Sequence, residues 1–342
     1  TSSAGTAQTF TMATRGLRIG GTLSITDTVS TTALGTSVSN LAITAPTVTI
    51  GAGGILTANG SIITVTSFSS TAGTYTVGTS TIVVSASGGT ISIDETANSV
   101  TANSAINTTL GNSLTFTGTL TLTSATAAFG ASSLTCSGTA TITFASATIT
   151  MSTGSWSTSA CTSFTATSSS VTLSGTGNVM LAAGQSFATL EVNGGTRTQL
   201  SQLTASAFTI SAGTLAKGTN TLTVNGGLTM SGGDLTSTSG NVVVTGAVNI
   251  SSALSAIDFG SETWTVSGTW TNASTDAAGW EAGTGTVTFD SATGGTMTFA
   301  GANLAENEFN NLAFDSTAGT TQTFTMSTRA LQIGGTLTVQ DS

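Results

Sequence analysis

Residues 113–123 read Ser-Leu-Thr-Phe-Thr-Gly-Thr-Leu-Thr-Leu-Thr, and on either side of Gly118 apolar and hydroxyl side chains alternate one by one. A period of two describes a strand with one buried face and one face toward water. Thr suits the outer face because it is both β-branched and polar. The same alternation recurs in Thr9–Met12, Thr47–Ile50, Thr141–Phe144 and Thr221–Val224. No stretch sustains a period of 3.6, so the chain is expected to be all-β with almost no helix. Turn residues such as Asn193-Gly194-Gly195, Asn225-Gly226-Gly227 and Ser231-Gly232-Gly233 separate the short strands. Glycine supplies the positive φ that tight corners require.

Composition narrows the architecture and excludes function classes. Of 342 residues, 78 are Thr and 48 Ser, and only 6% are charged. Five basic residues against 14 acidic ones cannot form a nucleic-acid footprint. There is no His, so Ser–His triads and imidazole metal sites are excluded. Disordered chains pair low hydrophobicity with high net charge; here 38% of residues are apolar, and they are patterned. Apolar runs last only a few residues, as in Val242–Val244, so no helix is expected to span a membrane. Stacked sandwiches guard their edges with charge and Pro, and this chain has one Pro. A β-solenoid needs such guards only at its two ends.

Two repeats bear on domain organisation. AGTAQTFTMATRGLRIGGTLSITD at residues 4–27 matches AGTTQTFTMSTRALQIGGTLTVQD at residues 318–341 in 17 of 24 positions. The offset is constant at 314, so residues 1–314 read as one long unit and residues 315–342 as the start of the next. The chain reads as a window on a longer array. A shorter repeat is suggested by Phe187-x-x-Leu190-x-Val192 and Phe309-x-x-Leu312-x-Phe314. From it we expect coils of about 18 to 25 residues, hence about 13 to 17 coils per long unit.

The stretch from Phe289 to Val339, and Glu262-Thr-Trp-Thr-Val-Ser-Gly-Thr-Trp-Thr-Asn272, resemble the repetitive β-solenoid regions of large secreted bacterial and archaeal surface proteins. The broad relatives are filamentous-haemagglutinin-like and autotransporter-passenger-like. The resemblance implies a right-handed parallel β-helix at the cell surface, and it places no catalytic or binding residue.

Several residues are candidates for chemistry. Cys136 and Cys161 are 25 apart, close to one coil, which brings a disulfide within reach; the alternative is two buried thiols. Trp264, Trp270 and Trp280 lie among Asp258, Glu262, Asp276, Glu281 and Asp290. Aromatics beside paired carboxylates form a glycosidase pattern, but the nearest basic residues in sequence are Lys217 and Arg329. A passive glycan contact at the three Trp residues, or simple core packing, is the plainer expectation, and no enzyme activity is expected. Asp94-Glu95 and Glu306-Asn307-Glu308 fit no calcium loop, so no metal and no cofactor are expected. Arg15 and Asp27 recur as Arg329 and Asp341, a candidate corner ion pair of small effect. Asn59, Asn107, Asn249 and Asn272 begin glycosylation sequons.

The expected role is a structural extracellular fibre whose partner is itself, through tandem repeats or head-to-tail stacking. Neighbouring fibres or surface glycans are further expected partners; nucleic acid and a membrane span are not. An adhesin stalk is the alternative, followed by ice binding. Thr-x-Thr triplets start at Thr9, Thr47, Thr115, Thr119 and Thr121, too irregularly for one ice-ordering face.

Overall fold

A computed structural model describes residues 8–27, 32–36, 40–103, 107–276, 279–292, 294–299, 307–316, 323–327 and 330–341. The chain is a parallel β-solenoid, with no α-helix among the described residues. Its turn count falls within the 13 to 17 expected. Packing divides it into two compact units, Thr1–Ser169 and Ser170–Ser342. This division follows contacts between neighbouring coils, whereas the 314-residue division follows sequence identity.

In the first unit one sheet stacks eight strands, from Leu17–Arg18 to Ser163–Thr167. Its inward ladder runs Ile43, Ile63, Ile82, Val100, Leu120, Ile142, Phe164. The residue after each forms the outer ladder: Thr44, Thr64, Val83, Thr101, Thr121, Thr143, Thr165. Alternation along each strand thus becomes, by lateral stacking, a dry apolar column and a hydroxyl column. Burying a Leu, Ile or Val side chain contributes about 1.5–3 kcal/mol before entropic costs. The corner after this sheet places Ser124, Ser146 and Ser168 in the left-handed region, at φ 50°, 52° and 51°. The Ser124 and Ser146 N–H groups donate to the Ala145 and Thr167 carbonyls of the next coil, both at 2.8 Å.

The second unit repeats the scheme. Leu203, Leu222, Val242, Trp264, Val287, Leu312 and Leu337 form one inward ladder. Leu190, Phe208, Leu228, Val248, Trp270, Met297 and Met326 form another. The strands Phe187–Gln199 and Leu203–Gly218 turn a corner without interruption, with a register shift around Asn193. Gly195 and Gly213 make this possible: their φ values are +60° and +73°, and a Cβ on Gly213 would lie 2.3 Å from the Gly195 carbonyl oxygen. Corner backbones therefore stack directly on one another.

Coil length varies more than expected. Paired residues are 18 apart at Thr81↔Ser99 and 26 apart at Leu17↔Ile43 in the first unit. In the second unit the range is 18 at Phe187↔Ala205 to 29 at Met297↔Met326. The short internal repeat also needs correction. Phe187 stands in the column of Ala205, Val224, Val244, Val266, Phe289 and Phe314, whereas Phe309 pairs with Ile333 in a different sheet. Corners of the same coil share one chemistry, a strand, a Gly-rich turn and a strand, so similar motifs arise at different corners.

The two copies of the long repeat adopt the same local pattern. Residues 8–27 form strands Gln8–Met12, Leu17–Arg18 and Thr22–Ile25. The second copy forms Phe324–Ser327, Gln332–Ile333 and Leu337–Asp341.

Candidate functional site

Cys136 and Cys161 form a disulfide, with Cα atoms 5.2 Å apart. They do not occupy stacked positions, as the 25-residue separation implied. The local coil is 22 residues, set by Leu134↔Trp156, so Cys161 lies at the corner beyond the ladder partner of Cys136. The bridge ties a strand end to the following corner.

The three Trp residues are core, which corrects the expected glycan contact. Trp264 and Trp270 are 0% exposed and Trp280 is 5% exposed. Their rings pack with Phe259 and Phe309 at centroid distances of 5.1 to 6.4 Å. A sugar platform needs an open ring face, and alternation turns these rings inward. The neighbouring acids do not form a catalytic pair. Asp258 accepts from the Gly260 N–H and Asp276 from the Gly279 N–H, both as local turns, and Glu281 is exposed.

Glu262 is different, because it is buried and meets Lys217. Lys217 Nζ lies 2.7 Å from Glu262 Oε2, and neither side chain is exposed. Lys217 also donates to the carbonyls of Asn220 and Ser239, at 2.8 and 2.7 Å. Glu262 accepts from Ser237 Oγ and Trp264 Nε1. Burial pushes the Glu262 carboxyl above the usual carboxylate range, and contact with Lys217 is the chief influence pulling it back. All three ammonium protons are used, so the group is a structural ion pair inside the solenoid. Sequence reading missed it. The one available signal was parity: in Leu215-Ala216-Lys217, the lysine shares the inward phase of Leu215. Arg197 is likewise fully buried, and burial lowers its pKa to about 10.

The remaining acidic candidates join coils together. Glu95 accepts from Ser70 Oγ at 2.7 Å and from the Tyr75 N–H at 2.8 Å, and Asn112 Nδ2 donates to Asp94. Among the described residues no three His, Cys, Asp or Glu side chains gather as a metal site. Asn307 is buried and Glu308 half-buried; Glu306 lies outside the described residues. Asp27 is buried and Arg15 exposed, while Arg329 and the Asp341 side chain lie outside the description.

The sequons are not equivalent. Asn249 is exposed in Val248–Ile250, and Asn59 sits half-buried at a turn with φ 50°. Asn272 is 0% exposed and accepts from the Ser274 N–H, so the folded chain cannot present it for modification. The side chain of Asn107 lies outside the description.

Tyr75 is the only tyrosine and provides a direct probe of core integrity. Its ring packs on Phe68, and its hydroxyl lies 2.6 Å from Ser80 Oγ. Burial foremost, with the Glu95 charge adding to it, pushes its pKa up to about 12. A raised folded pKa means a contribution fully present below about pH 10 and lost as pH rises through the folded value. Alkaline absorbance titration is expected to show one midpoint near 12 for the folded chain and one near about 10 in denaturant. A folded midpoint at the unfolded value would contradict this burial.

The hydroxyl rows are more regular than the triplet spacings implied. On the eight-stranded sheet, Ser99, Thr119, Thr141 and Ser163 stack beside Thr101, Thr121, Thr143 and Thr165. The triplets beginning at Thr9, Thr47 and Thr115 lie on other sheets.

The last ordered coil leaves apolar side chains uncovered. Leu312, Phe314, Phe324, Met326, Leu337 and Val339 are among the residues lining a depression of about 340 Å³. No family model, curated protein or solved structure matches the chain.

Proposed function

We propose that this chain is a structural segment of an extracellular β-solenoid fibre, extended by tandem copies of its own long repeat or by head-to-tail stacking. The observation that carries this reading is the recurrence of one coil. Residues 8–25 and 324–341 share sequence and the same three-strand pattern, so the solenoid returns to its starting coil after 314 residues. Such a period permits growth without a special junction. The disulfide suits an oxidising compartment outside the cytosol. Thr and Ser on the outer ladders give a neutral, hydrated face with little self-repulsion between neighbouring fibres. The reading assigns no catalysis: the most buried acid of the Trp-rich stretch is neutralised by Lys217.

Cryo-electron microscopy of the native material tests this. The expected result is continuous filaments with an axial repeat near about 4.8 Å, the spacing of paired strands. Isolated short particles would overturn the fibre and favour an adhesin stalk. The paired hydroxyl rows on the eight-stranded sheet favour a second reading, ordering of water at an ice surface. That reading requires thermal hysteresis, and its absence rejects it.

A further inference from the structure

We propose that the open apolar face on residues 324–341 is the seat of a following copy of residues 29–50 in the same polypeptide, continuing the solenoid in register. The inference rests on the fibre reading and names the segment that covers this face.

The warrant is a comparison of one coil in two settings. In residues 8–25 the coil is covered: Leu17 pairs with Ile43, Leu23 with Val48 and Ile25 with Ile50. The strand Gln8–Met12 pairs along its length with Thr32–Thr36. Met12 is 5% exposed there and Ile25 4%. Their equivalents by the 314-residue offset are Met326, 55% exposed, and Val339, 75% exposed. The opposite side reverses: Phe10 is 59% exposed, while its equivalent Phe324 is half-buried beside Gly295. Each copy shows covered the face that the other leaves open. The chain thus displays both halves of one continuous junction, and the coil that covers this sequence is the one carrying Ile43, Val48 and Ile50.

Simple abutment of a second chain is the rival. It would stack residues 8–25 on their own copy and set Asp27 opposite Asp341 at neighbouring-strand distance, where like charges destabilise. A following copy of residues 29–50 avoids this.

The test extends the full chain beyond Ser342 with residues 29–103, the next in the repeat. A control extension carries Ser in place of the residues matching Ile43, Val48 and Ile50. Hydrogen exchange is read at residues 337–341. The true extension is expected to slow the outward-facing amides by about tenfold or more, as an open edge becomes an interior strand; the control is expected to leave them fast. Equal exchange in extended and unextended chains overturns the proposal, as does equal protection by the control. Coil order in native filaments is the independent measurement. A coil bearing Ile43, Val48 and Ile50 directly after residues 324–341 supports the proposal. A coil bearing Phe10, Leu17 and Leu23 there overturns it while leaving the fibre standing, whereas absence of filaments sinks the fibre itself.

Discussion

Replacing Lys217 with Met is expected to lower the stability of the folded chain by about 3–5 kcal/mol, the cost of stranding one member of a buried ion pair. Lys217 and Glu262 sit in direct contact with no exposed side-chain surface. Without the ammonium, Glu262 keeps only Ser237 Oγ and Trp264 Nε1 as donors, and the Asn220 and Ser239 carbonyls lose theirs. The combined variant Lys217→Met with Glu262→Gln removes both charges and leaves an amide oxygen to accept from Ser237 and Trp264. It is expected to be more stable than Lys217→Met alone by at least about 1 kcal/mol, a coupling well above additivity error. The sign with pH follows from burial. The Glu262 carboxyl is already raised in the folded chain, and losing Lys217 raises it further. A carboxyl with a raised folded pKa contributes stability below the unfolded value, lost as pH rises through the folded value. The deficit of Lys217→Met should therefore be larger at pH 7 than at pH 4. Guanidinium unfolding at both values measures it. A single-variant loss below about 1 kcal/mol, or strictly additive variants, would show that the pair is not coupled.

Trp270→Ala is the second large effect, expected at about 3–5 kcal/mol. Trp270 is fully buried, and its ring meets Phe259, Trp264, Trp280, Phe289 and Phe309 at 5.7 to 6.4 Å. Two strand-paired neighbours, Val248 and Met297, close the column above and below it. Truncation leaves a void that paired backbones cannot collapse to fill. Trp270→Phe should cost far less, about 1.5 kcal/mol or below. Among the described residues Trp270 Nε1 finds no hydrogen-bond partner, so losing that buried N–H offsets part of the lost volume. Trp264 and Trp280 donate to Glu262 and to the Glu308 carbonyl, and for them Phe should not be mild. Comparable losses for Trp270→Phe and Trp270→Ala in chemical denaturation would refute the account.

Much of the fold was legible because alternation is a property of adjacent residues. Thr119–Thr123 and Thr141–Ala145 read as strands from their own composition, and their inward residues are the ones buried. The disulfide was within reach for the same reason, since one coil separates its cysteines. The candidate site was less legible. The Trp residues and acids of 258–290 are close in sequence, which made them look like one surface, but period two sends Trp264 and Trp270 inward. Lys217 lies two coils from Glu262, and sequence distance alone does not pair them.

The sequence by itself determined the strands, the inward and outward phase of each, the Gly-rich corners and the return of one coil after 314 residues. Only the tertiary structure decided which residues stack on which. Lateral pairing uses backbone hydrogen bonds that carry no side-chain identity, and coils of 18 to 29 residues absorb their differences at corners. A residue's neighbour across the sheet therefore cannot be counted from the sequence. The Lys217–Glu262 pair, the ring cluster around Trp270 and the uncovered face at Val339 all depend on that neighbour.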